Sequence, residues 1–403
     1  MLDETRLDAR EMESLGDLVP GPEPTLAPGR VVRVCETRLD GNELKYLTEC
    51  VTSNWISSAG PFVRRFEGAF AGATGCAHAV SCSSGTAALH LVLAALGLGA
   101  GDEVVVPAFS MIATANAVRY TGATPVLADA APGSCNVSAA TIAPRITERT
   151  RVILVVHTYG HPVDMDPVRA LADRHGLLVV EDAAEAHGAL YRGRPVGSLA
   201  DAATFSFYGN KIVTTGEGGM VTTQDAGLAR VVKRLRDHAF SDERHFWHTY
   251  LGYNYRMTNM QAAVGLAQVE RMPELVAARR ENRRRYDARL ATVKGLTLPA
   301  EAPDVSSVFW MYGVLVEDAF GLSRDALRAA LAARGVETRT YFVPIHVQPI
   351  HRAAHRGERY PVAEDLCRRG LYLPSGPALS DADVDFVAGA IGKARPAPVP
   401  ALA

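Results

Sequence analysis

The chain has 403 residues and a mass of 43.1 kDa, more than one hydrophobic core usually supports, so a large domain with a smaller companion is expected. With 48% hydrophobic and 21% charged residues it has the composition of an ordinary globular enzyme, which sets aside disordered and fibrous classes. A formal charge of −2 gives no field to draw it to nucleic acid or an anionic membrane, no stretch is apolar for long enough to span a bilayer, and six scattered cysteines without C-x-x-C spacing argue against a metal site and for a reducing cytoplasm.

Residues 1–30 begin acidic, without the apolar core of a signal peptide, and end in the run Pro20-Gly-Pro-Glu-Pro24 with Pro28-Gly29. Lacking periodicity, they read as a flexible or loosely docked extension. From about Ala77 strand and helix alternate, the pattern of an α/β domain whose mostly parallel sheet is covered on both faces. Leu89, Val92, Leu93 and Leu96 predict a helix over 86–96, closed by Gly97 and Gly99. Short apolar strands follow at 104–107 and 152–156, then an amphipathic helix over 166–175 stopped by Gly176, and further strands at 177–180, 202–205 and 220–223. Each strand delivers polar residues at its carboxyl end, where open α/β sheets place ligands. A large cofactor-binding domain over 31–272 is therefore expected.

Beyond Met272 a long helix over 274–290 is expected, its arginines from Arg279 to Arg285 forming a solvated face rather than a polyanion patch. A strand over 308–316, a helix over 323–334, a strand over 336–341 and a last helix capped by Ser380 with Asp383 in its first turn complete a smaller α+β domain over 273–403.

Three features carry chemistry. Lys211 follows a buried strand inside a glycine-rich turn, where desolvation favours the neutral amine that makes a Schiff base with an aldehyde. The strand ending in Glu181-Asp182-Ala-Ala-Glu185-Ala-His187 places a carboxylate that can keep a pyridine nitrogen protonated, although Asp182 alone could equally cap a helix. Ser83-Ser84-Gly85-Thr86 opens a helix and, with Ser206, offers hydroxyls and amides to a phosphate. Each is weak by itself. Together they ask for the aldehyde, ring nitrogen and phosphate of pyridoxal phosphate.

At these residues the chain resembles the DegT/DnrJ/EryC1/StrS sugar aminotransferase family, pyridoxal-phosphate enzymes of fold type I, from about Val34 to Val387. Motifs that carry the resemblance include Thr52-Ser-Asn-Trp-Ile-Ser-Ser58, Ser84-Gly-Thr-Ala-Ala-Leu89, the stretch from Pro107 to Val118, His157-Thr-Tyr-Gly-His161, the Glu181 to His187 run, the lysine segment and Gly252-Tyr-Asn-Tyr-Arg-Met-Thr-Asn259. The resemblance implies that Lys211 bears the cofactor, that Asp182 pairs with the ring nitrogen, that Glu185 faces the cofactor, and that Gly85, Thr86 and Ser206 hold its phosphate. Asn254 would cross a homodimer interface to the same phosphate, so two chains would share each active site. Met111 stands where most members place an aromatic residue over the ring. Retention of Lys211, where a dehydrating branch has His, implies transamination.

The Asn54 to Ser58 segment, the His-x-Tyr-Gly-His stretch and Tyr341-Phe-Val-Pro-Ile-His346 most resemble enzymes of the perosamine-synthase kind, which act at C4 of a nucleotide-linked 4-keto-6-deoxyhexose. Trp55 and His346 would then touch the sugar substrate, with simple packing as the equal alternative. The implied reaction passes nitrogen from L-glutamate through pyridoxamine phosphate to the keto sugar. Amination at C3, or of a keto-cyclitol in antibiotic biosynthesis, uses the same site residues, and a non-catalytic pyridoxal-phosphate-binding regulator is the remote rival.

Overall fold

β-Branched runs too short to make helices and apolar on both faces become central strands. In the computed structural model, which describes residues 15–241, 243–244 and 246–396, the strands up to residue 223 are β1 (His78–Cys82), β2 (Glu103–Pro107), β3 (Thr124–Ala128), β4 (Thr150–Val156), β5 (Leu178–Asp182), the short β6 (Leu190–Tyr191) and β7 (Arg194–Pro195) of a separate small sheet, β8 (Ala202–Ser206) and β9 (Gly219–Thr223). Seven of them form one sheet in the order β1-β9-β8-β5-β4-β2-β3. The pairs from β8 through β5, β4 and β2 to β3 are parallel, and β9 runs against both its neighbours. β3 contains Pro125, tolerated because this strand is an edge.

The chain divides into two compact units: a larger one of Thr37–Ala277 with Glu301–Trp310, and a smaller one of residues up to Glu36, Ala278–Ala300 and Met311 onward. The sequence reading draws its boundaries at 30 and 272 instead. Residues 1–14 of the expected extension lie outside the described residues.

Within the larger unit the helix Gly85–Ala95 is apolar nearly all round and is buried from Ala87 to Leu93, as a helix enclosed by its domain must be. Met165–His175 ends at Gly176, whose φ of 64° supplies the left-handed turn. Phe66 and Phe70 of the helix Pro61–Thr74 meet Phe207, Phe70 also meets Phe205, and the buried His187 ring stacks on Phe205 and Phe207. This aromatic cluster holds the strand that leads to Lys211.

The smaller unit packs Tyr286, Leu290, Tyr312, Leu327, Leu371 and Val387 into one core beside a four-stranded antiparallel sheet. Residues 15–30 are docked on it. Leu18 packs with Val347 and Cys367, the Ala27 amide donates to Ala332 O at 2.9 Å, and Glu23 accepts from the buried Arg328 at 2.9 Å. Two expectations are corrected. Arg279 does not belong to a solvated face: it is 1% exposed and donates to Ser375 O at 3.2 Å, because it stands on the same helical stripe as Asn282 and Tyr286. The strand expected over 308–316 begins only at Tyr312, since Phe309 adopts a φ of 46° that extended chain forbids. Ser380 and Asp383 do form a reciprocal capping box on the last helix.

Phe70→Ala should destabilise the larger unit by about 3–5 kcal/mol, read as a lowered urea midpoint with an unchanged slope. A loss below about 1 kcal/mol would mean that the ring cluster does not anchor the lysine-bearing strand.

Candidate functional site

Alternation along β5 sends its last two carboxylates to opposite faces. Glu181 sinks into the protein, where it accepts from Gly197 N at 3.0 Å and Leu199 N at 2.8 Å and meets His157 Nε2 at 2.9 Å. His157 Nδ1 accepts from the Val163 amide at 3.0 Å, so Nε2 carries the proton and the imidazole is neutral. Asp182 faces the other way. It is 5% exposed, accepts from Thr114 Oγ1 at 3.0 Å and from the Ala184 amide at 3.2 Å, and Thr114 is in turn bonded to Ser110 Oγ at 3.0 Å. Burial pushes the Asp182 carboxyl above its usual range, against the pull of those donors and of the Lys211 charge.

Lys211 lies in the turn between β8 and β9. Its amide donates to Tyr208 O at 2.9 Å, and the loop closes through Thr215 N to Phe207 O at 2.9 Å. Its side chain is 11% exposed, with Nζ 3.8 Å from Glu185 Oε1 and 3.7 Å from the centre of the Trp310 ring system. The other Glu185 oxygen accepts from the Tyr159 amide at 2.7 Å. Burial raises the Glu185 carboxyl to about 7, although Lys211 pulls it down. Tyr159 holds a φ of 55°, a left-handed conformation unusual for a residue with a side chain. Trp310 donates from Nε1 to Asn210 O at 2.9 Å and from its amide to Tyr159 O at 3.1 Å, with the two rings stacked.

The helix start completes the group. Ser84 caps Gly85–Ala95 by accepting from Ala87 N at 3.1 Å, leaving the amides of Gly85 and Thr86 at the positive end of a nearly buried helix. A Cβ on Gly85 would lie 2.7 Å from Ser206 Cβ, so only glycine lets helix and strand end approach this closely. The free amides at the helix start thus lie beside Ser206 at the end of β8, a corner suited to an anion.

The other expected site residues are placed by different contacts. Met111 is 53% exposed and Trp55 51% exposed. Asn254 is exposed and accepts from Arg256 Nε at 3.0 Å. His346 is buried in the smaller unit, 3.3 Å from Glu364 Oε1 and tilted against Tyr360. Three groups escaped the sequence reading. Thr114 and Tyr159 lay inside quoted motifs, but a backbone amide and a second-rank hydroxyl leave no compositional mark; Trp310 lies 100 positions from the residue its indole bonds. Among the described residues no cluster of His, Cys, Asp or Glu is placed to hold a metal, and no helix is long and apolar enough to cross a membrane.

A buried carboxyl, a shielded amine and an anion corner at neighbouring strand ends match the three ends of one small aldehyde cofactor, which places the protein among the pyridoxal-phosphate-dependent enzymes of α/β architecture. Known proteins agree. The profile of the DegT/DnrJ/EryC1/StrS aminotransferase family matches residues 37–392, and the chain belongs to that family. It is 48% identical over 362 residues to the GDP-perosamine synthase of Caulobacter vibrioides, covering 89% of this chain and 97% of that protein. The GDP-perosamine synthase of Escherichia coli O157:H7 is 41% identical, with 90% and 98% covered. The crystal structure of S. venezuelae DesV superposes with a TM-score of 0.84 at 38% identity, covering 88% of this chain and 95% of that one. The protein is a sugar aminotransferase dependent on pyridoxal phosphate.

Because Glu185 binds its proton more tightly folded than unfolded, its contribution to stability falls as pH rises from about 4.5 to about 7 and is level above. Without cofactor, the stability advantage of Glu185→Gln over the parent should widen across that window by up to about 3 kcal/mol. Melting curves at several pH values check this; a gap that stays constant would mean the carboxyl does not titrate there.

Proposed function

We propose that the chain moves the amino group of L-glutamate to C4 of a nucleotide-linked 4-keto-6-deoxyhexose, with Lys211 as the lysine that bears the cofactor. The carrying observation is the shielded Lys211 amine 3.8 Å from Glu185 and within the field of the buried Asp182. The substrate class is supported by relatives named GDP-perosamine synthase that match over nearly their whole length.

The residues fit pyridoxal phosphate. Asp182 is buried with donors on both oxygens, and burial still raises its carboxyl above the usual range, so a cationic ring nitrogen is a partner that would favour its ionised form. Gly85, Thr86 and Ser206 would take the phosphate. When bound, the cofactor supplies an aldehyde for the amine and an electron-withdrawing ring that stabilises negative charge on the neighbouring carbon. The chain's own part is proton handling and position. Lys211, little hydrated, would move a proton between the nitrogen-bearing carbon of the substrate and the cofactor within each half-reaction, in opposite directions in the two halves. Thr114, fixed by Ser110, keeps Asp182 aimed at the ring position, and Met111 would cover one face.

Two copies would share each site in a cytoplasmic homodimer. Asn254 is exposed and follows a segment in which Phe246, Trp247 and Leu251 are all exposed, an apolar surface in keeping with a partner. Trp55 and His346 are the proposed sugar contacts.

Lys211→Ala should lower glutamate-dependent amination by at least about 10⁴-fold without changing the melting temperature; activity near the parental rate would refute the lysine's role. Mixing Lys211→Ala with Asn254→Ala chains should recover part of the activity if sites are shared, and none if each chain works alone. Offered GDP-4-keto-6-deoxymannose and dTDP-linked 3-keto and 4-keto sugars, the enzyme should aminate a 4-keto sugar fastest. Preference for the 3-keto compound would assign the C3 reaction instead.

A further inference from the structure

Transamination needs Lys211 in two states, joined to the cofactor and released from it, and a released lysine has four rotatable methylene bonds with which to wander. Its nitrogen sits 3.7 Å from the centre of the Trp310 ring system, well inside the roughly 6 Å reach of a cation–π contact, and 3.8 Å from Glu185 Oε1. Trp310 is itself 4% exposed and anchored at both ends. The indole Nε1 bonds Asn210 O, the residue next to the lysine, and the backbone amide bonds Tyr159 O. Tyr159 and Phe309, the residue before Trp310, have φ of 55° and 46°. Such conformations persist only where the surroundings over-determine them, and they gather where position matters to function.

Ordinary core packing would account for a buried indole. It would not require strained backbone on both sides of the contact, nor a hydrogen bond from the indole to the lysine's own turn. We propose that the face of Trp310, together with the Glu185 carboxyl, is the resting place of the Lys211 amine whenever it is free of cofactor, and that Trp310 is a positioning residue which sets how readily that amine gives up its proton. This rests on Lys211 being the cofactor lysine.

The charged and titratable groups around the nitrogen act in opposite directions. Glu185 and Asp182, from the end of β5 and the turn after it, favour the ammonium as far as they are ionised. Cys135 faces Glu185, but burial pushes its thiol up to about 12, so it adds no charge near neutrality. From the loop after β4, the Tyr159 amide is spent on Glu185 and the His157 ring on Glu181. The negative face of the indole does not titrate, and it stabilises the ammonium at every pH.

The test uses the full-length chain freed of cofactor, with Trp310 replaced through amber suppression by tryptophans carrying one, two or three ring fluorines. These keep the indole's shape and N–H while draining charge from its face. The amines are labelled as ¹³C-dimethyl lysine, and the Lys211 signal among the chain's five lysines is assigned with Lys211→Arg. The Lys211 titration midpoint should fall stepwise with each fluorine, raising the neutral fraction at fixed pH about fivefold by the third, while the other lysines stay put. A midpoint indifferent to fluorination overturns the proposal. Because fluorination spares the fold, the result does not depend on whether Trp310→Leu is stable. Borohydride trapping of pyridoxal phosphate on the unlabelled protein, located by mass spectrometry, reports separately whether Lys211 is the cofactor lysine.

Discussion

An amine and two carboxyl groups withdrawn from water at neighbouring strand ends are the constraint to which the rest of the larger unit answers. Isolated in such a setting each would shift to its neutral form. Asp182 and Glu185 are drawn that way and are restrained by donors that the fold must supply: the Thr114 hydroxyl, the Ala184 amide and the amide of Tyr159. The donors come from three different parts of the chain, after β2, after β4 and after β5. The parallel order of the sheet brings exactly those strand ends side by side, so the topology is a means of delivering polar atoms to one buried place.

The same strand shows how a single residue of offset separates structure from chemistry. Glu181 is as buried as its neighbour, yet its neutral His157 partner and two amide donors satisfy it completely within the scaffold. Asp182, one position on, keeps its carboxyl on the face where a ligand is expected. A register slip of one residue would exchange the two roles.

Much of the α/β core was legible because its signals are local. The runs read between Val104 and Thr223 are dense in β-branched residues or carry clear stripes and differ from the observed elements by a residue or two at each end, while the edge strand β3 and the short helix Ala113–Tyr120 went unread. Helices with weaker patterns escaped it. Asn259–Glu270 is rich in Ala, Gly and Gln and is buried on most sides, so it has no polar face to define a period; Gly265 is there to admit the Phe66 ring. Arg279 was misread because a long stem can be buried while its head finds a carbonyl, which composition does not disclose. In the site, lysine and carboxylates announced themselves by type and spacing. Trp310 and the Tyr159 amide did not, since their part depends on distant segments meeting and on backbone angles rather than on side-chain chemistry.

The anion corner at the start of Gly85–Ala95 differs in kind from everything else around Lys211. Two of its donors are peptide N–H groups, which carry no ionisable proton, and the tight fit of Gly85 against Ser206 fixes their direction. A phosphate held there would be met by donors that do not titrate, whereas Glu185 beside the lysine does so near neutrality. Holding the coenzyme and handling its protons would thereby fall to different groups of the chain.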